Sequence, residues 1–193
     1  MTDNLARQLA FLDEADRLKG ILRATPVLAG ARPENSAEHS WHVALYALVL
    51  ADQAAPGVSI DRVIRMLLLH DLVEIDAGDM PIHLAHDQAA QAAREQAAAT
   101  RLFGLLPPEQ GAAFRALWDE FEAGETPDAI FARALDRVQP LGLNLASGGG
   151  SWIEYGVTFA QLESRVGQKV ARGAPRLWDA MRERARAWFA ARG

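Results

Sequence analysis

Cysteine is absent from the 193 residues of the chain, and its absence excludes a whole group of functions. Without thiols the chain forms no disulfide, no zinc finger and no iron–sulfur cluster, and it has no thiol nucleophile. Any metal ion must therefore be bound by nitrogen and oxygen atoms, which leaves histidine, aspartate and glutamate as the side chains that can carry metal chemistry.

Long apolar runs and an excess of positive charge are also missing. No apolar segment approaches the length of a membrane span, and residues 1–10 lack the basic and then apolar order of a signal peptide. We therefore expect a cytoplasmic protein without a membrane partner. The formal net charge of -5 disfavours binding to a nucleic-acid polymer, which needs basic residues collected on one face. One phosphate group can still be held by a metal ion and a single arginine.

The spacing of apolar residues predicts an all-α protein, and the length suits one compact domain. Leucines recur at intervals of three and four over residues 4–22, which predicts an amphipathic helix with this face turned inward. Further helices are predicted over residues 36–50, 59–73, 88–105, 107–122, 126–148, 159–170 and 175–191. We find no convincing strand and no internal repeat, so the pattern predicts a helical bundle.

The segment Met66-Leu-Leu-Leu-His-Asp-Leu-Val-Glu-Ile75 places three ionisable side chains inside an apolar run. A buried carboxylate must be paired, hydrogen-bonded or bound to metal, or its pKa rises until it is neutral. His70 and Asp71 are separated by about 100° around a helix, so they can share a metal ion only in a groove between helices. Glu74 follows within one turn, and on a continuing helix it faces the same cleft.

Two more polar residues can complete a metal site. His39 lies in the first turn of the second predicted helix, and Asp136 lies among apolar neighbours in a later one. Two histidines and two carboxylates leave coordination positions open for water and substrate. This set suits one divalent transition metal, and the ligand types alone do not choose among manganese, cobalt, iron, nickel and zinc.

The order His39, then His70-Asp71, then Asp136 resembles the H…HD…D signature of the HD-domain superfamily, an all-helical fold of metal-dependent phosphohydrolases. Flanking residues over 18–140 resemble its 5′-deoxynucleotidase branch: Arg23, Glu34-Asn-Ser-Ala-Glu-His-Ser40, His70-Asp-Leu-Val-Glu74, Gly78-Asp-Met-Pro81 and Ala134-Leu-Asp-Arg137. Members of this branch release phosphate from deoxynucleoside 5′-monophosphates, commonly as homodimers. The resemblance implies a single HD domain over residues 1–193, with the motif-bearing core at about 18–140 and C-terminal helices at about 158–192.

Carried over position by position, the resemblance implies a set of metal ligands, namely His39, His70, Asp71 and Asp136. It further implies that Asp71 and Asp136 lie close to the substrate phosphate. Glu74 matches the residue that acts as acid or base, and Arg23 matches the arginine that orients the phosphate. The segment from Asp79 to Ile82 matches a loop that contacts the nucleoside.

Two departures from the branch leave the substrate open. Ala24 stands where relatives carry a bulky aromatic residue, and Ile82 stands where they carry a hydroxyl residue, so the sugar and even the nucleotide class are in question. One alternative is a phosphodiesterase or polyphosphate hydrolase, because the HD metal centre serves those substrates too. Another is a non-catalytic helical module with a structural metal, although such a site needs neither Glu74 nor Arg23.

Three other features have simpler interpretations. His42, one turn after His39, is assigned a supporting or surface role, and His83 and His86 are assigned to the loop after the site. The run Gly148-Gly-Gly-Ser151 lacks the lysine and the preceding strand of a P-loop. It is interpreted as a flexible connection between helices.

Overall fold

The computed structural model describes residues 3–28, 32–84 and 87–192, so His86 lies outside the described residues. The helices within these ranges are α1 (Asn4–Ala15), α2 (Ser36–Val49), α3 (Ile60–Leu69), α4 (Glu74–Ala77), α5 (Gln88–Phe103), α6 (Pro108–Ala123), α7 (Pro127–Ala146), α8 (Ser151–Glu154), α9 (Phe159–Leu162), α10 (Gln168–Gly173) and α11 (Pro175–Ala190). Two short strands accompany them, β1 (Leu22–Pro26) and β2 (Pro33–Asn35). Across these ranges, we find no helix with both the length and the apolar character needed to cross a membrane.

Helix α7 lies at the centre of the packing. It contacts α2, α3, α6, α10 and α11, and its Leu135 is fully buried together with Val43 of α2 and Met66 of α3. Burial of apolar surface of this kind is the main favourable term in folding. The all-α prediction is confirmed, apart from the small sheet.

The prediction that no strand would be found is wrong for residues 22–35. Strands β1 and β2 form an antiparallel pair in which Leu22 lies opposite Asn35, with an irregular register along the pair. The strands have five and three residues and include prolines, so they lack the alternating pattern by which a strand is detected. The pair carries Arg23 on β1 and Glu34 on β2, and it places both beside the N-terminus of α2.

The first helix is shorter than predicted, and its leucine face is not covered in the described residues. Helix α1 ends at Ala15 and continues as a 3-10 turn over Asp16–Gly20. Leu5, Leu9 and Leu12 are 58%, 51% and 61% exposed. The predicted inward face is therefore wrong for these three leucines but confirmed at Leu18, which is buried, because periodicity identifies an apolar stripe but does not show which element covers it.

A capping box starts the helix that carries His39. The Asn35 side chain accepts a hydrogen bond from the Glu38 backbone N–H at 2.9 Å, and the Glu38 carboxylate accepts one from the Asn35 N–H at 3.1 Å. These two bonds satisfy backbone donors that the first turn of a helix leaves free. The start of α2 is thereby fixed one turn before His39.

Helix α3 ends at Leu69, and residues His70–Val73 form a 3-10 turn before α4. The prediction of one continuous helix to residue 73 is therefore wrong in this turn. The His70 ring bonds the Leu67 carbonyl at 2.8 Å, and the Trp118 indole N–H donates to the His70 carbonyl at 3.2 Å. Side-chain donors thus compete for the carbonyls that an α-helix would use.

Helices α7 and α10 approach each other most closely at Gly173. A Cβ at this position would lie 2.5 Å from the carbonyl oxygen of Ile130 and 2.7 Å from the Cβ of Ala134. Only glycine leaves room for this contact.

The connection between α7 and α8 is held by hydrogen bonds. The Asn144 side chain accepts hydrogen bonds from the Ser151 N–H and hydroxyl at 2.8 and 3.0 Å.

Candidate metal centre

Three of the four predicted metal ligands converge from separate helical segments. Ligand atoms of His39, His70 and Asp136 lie within 4.8 Å of one another. The Nε2 atoms of His39 and His70 are 3.1 and 3.7 Å from Asp136 Oδ1. Helix α2, the turn after α3 and helix α7 each provide one of these residues, so their mutual packing builds the cluster.

Asp71 lies beside this cluster. Its Oδ1 is 3.0 Å from His70 Nε2, and its Oδ2 is 3.8 Å from His39 Nε2. The same Oδ2 accepts a hydrogen bond from Arg23 Nη1 at 2.8 Å. Asp71 therefore connects the cluster to the arginine, in agreement with a place near both metal and phosphate.

Hydrogen bonds on the far side of each ring orient the two histidines. Gln139 Nε2 donates to Glu34 Oε1 at 2.7 Å, so its Oε1 is turned to accept from His39 Nδ1 at 2.9 Å. The Leu67 carbonyl, which can only accept, fixes the proton of His70 on Nδ1 in the same way. Each Nε2 then faces the cluster, and it is the atom that would bind a metal ion in place of its proton.

The electrostatics of the cluster also fit a cation. Burial by itself raises the pKa of Asp136, but the neighbouring Arg137, His39 and His70 hold it well below its ordinary value. Burial lowers the pKa of His70, yet the neighbouring carboxylates raise it well above its ordinary value. His70 Nε2 is buried without a hydrogen-bond partner among the described residues. A divalent metal ion fits these residues, because it offsets the carboxylate charge and provides that partner.

Arg23 lies among carboxylates next to the cluster. Its Nη1 is 2.8 Å from Asp71, 3.5 Å from Asp79 and 3.7 Å from Glu74. Burial by itself lowers the pKa of Arg23, but these carboxylates raise it, so the guanidinium stays charged. Its Nε is buried and makes no hydrogen bond within the described part of the chain. That Nε lies 3.9 Å from Glu34 Oε2. Arg23 is therefore a charged group beside Asp71, next to the cluster.

Glu74 is held in the same cleft by the hydroxyl of Ser36, which donates to Glu74 Oε2 at 2.5 Å. Burial raises the pKa of Glu74 well above its ordinary value, and the negative charges of Asp71 and Asp79 add to the effect. A carboxyl group in this position can keep its proton near neutral pH.

Two cavities open from this centre, and six residues line both of them: Arg23, Asp79, Met80, Ile82, Asp136 and Arg137. The smaller one, of about 80 Å³, lies against β1, α7 and α8 and is also lined by Ala24 and Trp152. The larger one, of about 690 Å³, extends towards α5 and α10. The predicted nucleoside loop, Asp79 to Ile82, lies between the two, and only its Pro81 lines the smaller cavity alone.

Sequence reasoning did not predict a role for Gln139, Glu34 or Ser36. Glu34 and Ser36 lie within a motif that was recognised, but nothing in it indicates what they contact. Gln139 follows Asp136 by three residues on α7, a spacing that places both on one helix face. The signal available in the sequence was that Gln139 is polar at a position of that helix face where an apolar residue is expected. Gln139 also lies 3.1 Å from His42 Nδ1, which confirms a supporting position for His42.

Comparison with known proteins extends these observations. The 5′-deoxynucleotidase HDDC2 of Homo sapiens is 29% identical over 132 residues, which cover 68% of this chain and 63% of that protein. The 5′-deoxynucleotidase of Erwinia tasmaniensis is 32% identical over 132 residues, which cover 64% of this chain and 66% of that protein. The chain thus spans less than two thirds of the length of these curated relatives.

A solved structure matches over nearly the whole chain. It is described as a predicted metal-dependent phosphohydrolase from Magnetospirillum magnetotacticum MS-1, and it is 49% identical with a TM-score of 0.90. The match covers 96% of this chain and 95% of that one. The family model for the HD domain matches residues 15–178, a range that contains the whole cluster. The chain therefore belongs to the HD domain family.

Proposed function

We propose that this chain is a metal-dependent phosphohydrolase that releases phosphate from nucleoside or deoxynucleoside 5′-monophosphates. One observation carries the proposal: the Nε2 atoms of His39 and His70 and a carboxylate oxygen of Asp136 converge beside the charged guanidinium of Arg23. A metal ion and an arginine side by side are what a phosphate monoester needs for binding and charge neutralisation. The names of the relatives, 5′-deoxynucleotidase and metal-dependent phosphohydrolase, support the same activity.

We propose four ligands for one divalent transition metal, either manganese, cobalt, iron, nickel or zinc: His39, His70, Asp71 and Asp136. When bound, such an ion polarises the phosphate and lowers the pKa of a water molecule. Arg23, which lines both cavities at the cluster, donates hydrogen bonds to the phosphate oxygens. Glu74 holds a proton on its carboxyl group and passes it to the leaving 5′-oxygen of the sugar. The homodimer implied by the family resemblance stays a prediction.

A phosphate-release screen tests the proposed activity. Purified protein loaded with each candidate metal is assayed on nucleoside 5′-monophosphates, cyclic nucleotides, polyphosphate and a generic phosphate ester. We expect metal-dependent release from the 5′-monophosphates. Turnover of cyclic nucleotides or polyphosphate without turnover of the 5′-monophosphates would replace this function by one of the alternatives.

The metal ligands are tested separately from turnover. Asp136→Ala and Asp71→Ala each remove one buried carboxylate from the centre, so bound metal and phosphate release should both be lost. Asp179→Ala, on the exposed side of α11, is the matched control and should keep both. Elemental analysis of the purified variants decides the matter, and a full metal content in both site variants would contradict the proposed ligand set.

A further inference from the structure

The loop over residues 78–83, which follows α4, borders both cavities at the metal centre. Its Asp79, Met80 and Ile82 line the smaller cavity and the larger one alike. A ligand in either cavity therefore lies against this loop. The position of the loop also matters to Arg23, because Asp79 Oδ1 is 3.5 Å from Arg23 Nη1.

The backbone of the 78–83 loop has few hydrogen bonds. At its start Gly78 ends helix α4 with a φ of 75°, a conformation that glycine adopts more readily than other residues. Near its end the Leu84 N–H donates to the Pro81 carbonyl at 3.0 Å, which closes a local turn. In the described parts of the chain, only Arg165 links the backbone of this loop by hydrogen bonds to a distant segment.

Arg165 donates to two successive carbonyl groups of the loop. Its Nη1 is 2.9 Å from the His83 carbonyl oxygen and 3.4 Å from that of Ile82. These carbonyls are 82 and 83 residues away in the sequence, so the bonds connect the loop to the C-terminal part of the chain. A hydrogen bond from a charged donor is stronger than one between neutral groups.

The segment that carries Arg165 is itself held by apolar packing. It is a π-helical turn, Glu163–Gly167, a rare element that often occurs at functional sites. On either side of Arg165, Leu162 and Val166 are buried in one apolar cluster with Trp178 of α11. Arg165 thus extends from a well-packed segment to a loop that has few contacts of its own.

Loss of the Arg165 side chain should move the loop without unfolding the protein. Arg165 is half-buried, and the apolar cluster beside it is formed by other residues. Ile82 packs partly against that cluster, so one end of the loop keeps a contact when the hydrogen bonds are removed. Asp79 and Met80 are then the residues that are free to shift.

We propose that Arg165 is a positioning residue, which holds the 78–83 loop at the metal centre through the carbonyls of Ile82 and His83, so that Asp79 and Met80 are in place when substrate binds. The inference rests on the proposed function for the identity of the substrate. It does not depend on how the substrate is oriented, because the loop borders both cavities. It also gives the C-terminal part of the chain, which contains none of the proposed metal ligands, a role in substrate binding.

Nuclear magnetic resonance of methionine methyl groups tests the position of the loop without turnover. The chain has four methionines; Met80 lies on the loop, and Met66 is fully buried in α3. Metal-loaded protein with ¹³C-labelled methionine methyls is compared with Arg165→Leu, which keeps the apolar part of the side chain and removes its donors. Met80→Leu identifies the signal. In Arg165→Leu we expect the Met80 signal to move towards the position of an unstructured methionine, with the Met66 signal unchanged.

Kinetics of the metal-loaded protein test the consequence for the substrate. Arg165→Leu lowers the fraction of molecules with the loop in place, so KM for 5′-monophosphates should rise about tenfold while kcat stays within about twofold. Metal content should be unchanged. Both bonds come from one nitrogen atom, so Arg165→Lys, whose ammonium can donate to the same carbonyls, should restore much of the Met80 signal and of KM. Arg172→Leu removes an exposed arginine on α10 and should change neither.

Several outcomes overturn the inference. A Met80 signal that Arg165→Leu leaves in place shows that the loop does not depend on Arg165, and an unchanged KM shows that its position does not matter to the substrate. Arg165→Lys behaving like Arg165→Leu contradicts the role of the charged donor. If the natural protein hydrolyses no 5′-monophosphate, the proposed activity fails, and the Met80 signal still decides whether Arg165 holds the loop.

Discussion

Gln139 determines which nitrogen of His39 carries the proton. Its amide nitrogen is committed to Glu34 and lies close to His42, so its oxygen must face His39 Nδ1. Nε2 then faces Asp136, 3.1 Å away, and the predicted metal position. Gln139 thereby orients a proposed metal ligand without lying in the cluster itself.

Replacing Gln139 should weaken metal binding more than it weakens the fold. In Gln139→Leu the His39 ring loses its partner, and Glu34 loses a donor, so we expect metal affinity to fall roughly 10- to 100-fold. Competition with a chromophoric chelator measures this change. Gln168→Leu, on the exposed side of α10, is the control. A dissociation constant within twofold of the natural protein in Gln139→Leu would show that His39 is oriented by other contacts.

Arg23 should affect turnover and leave metal content intact. Its guanidinium is a charged donor 2.8 Å from Asp71, beside the cluster, and loss of one such donor to a developing anion costs roughly 100- to 1000-fold in rate. We expect Arg23→Ala to reduce kcat/KM for 5′-monophosphates by this factor with one metal ion still bound. Arg17→Ala removes an exposed arginine paired with Glu14 and should have no effect. Unchanged kinetics in Arg23→Ala would exclude the phosphate role.

Ala24 is predicted to relax sugar selectivity. It lines the smaller cavity with Ile82, where members of the resembling branch carry an aromatic residue that can pack against the sugar. An apolar pocket rejects an added hydroxyl group by no more than roughly 100-fold, so a smaller side chain should accept ribonucleotides. Comparison of kcat/KM for each deoxynucleotide and its ribonucleotide should show activity on both, and Ala24→Trp should increase the deoxy preference. A strong preference that Ala24→Trp leaves unchanged would place selectivity elsewhere.

The residues of the centre differ in how far the sequence could predict them. His39, His70 and Asp136 were predicted because ionisable residues in apolar segments follow the order of a known signature. Gln139 was not, because an uncharged amide in a helix has many ordinary roles and its partner Glu34 lies 105 residues away. Contacts between residues so far apart in the sequence depend on how the helices pack. Local sequence patterns carry no information about that packing.

At the scale of elements, the contact between α7 and α10 depends on Gly173, a residue without a side chain. Gly173 brings the backbone of α10 against Ile130 and Ala134 of α7, and α7 carries Asp136. A methyl group there forces the helices apart or distorts them, since well-packed interiors have no spare volume.

We therefore expect Gly173→Ala to reduce the free energy of unfolding by about 1–3 kcal/mol. Urea denaturation followed by circular dichroism measures the change. Gly20→Ala is the control, because a Cβ at Gly20 meets nothing within 4 Å. Equal free energies of unfolding for Gly173→Ala and the natural protein would show that α10 can shift without loss of stability.

Helices were easier to predict than the shorter elements. The apolar patterns of α5, α6 and α7 run for 16 to 20 residues, long enough for periodicity to dominate. The β1–β2 pair and the 3-10 turn at His70 depend on contacts with distant residues such as Trp118. They were missed because no local pattern marks them.

At the scale of the whole molecule, distant segments of the chain build one centre. Helix α2, the turn after α3 and helix α7 are packed together through fully buried residues such as Val43, Met66 and Leu135. The proposed metal ligands are thus attached to segments that pack through a buried apolar core. The candidate phosphate arginine is attached differently, because Arg23 lies on a two-stranded sheet at the side of the bundle.

This difference divides the centre into parts of unequal local stability. A short two-stranded ladder has few interactions to lose and can open without global unfolding, whereas the helices around the metal ligands open only with the core. Amide hydrogens of β1 should therefore exchange with solvent much faster than those of α7, and a bound phosphate should slow β1 selectively. We therefore expect the protein to keep its metal ion while Arg23 is withdrawn with β1, so that ligand release and metal release are separate events with separate rates.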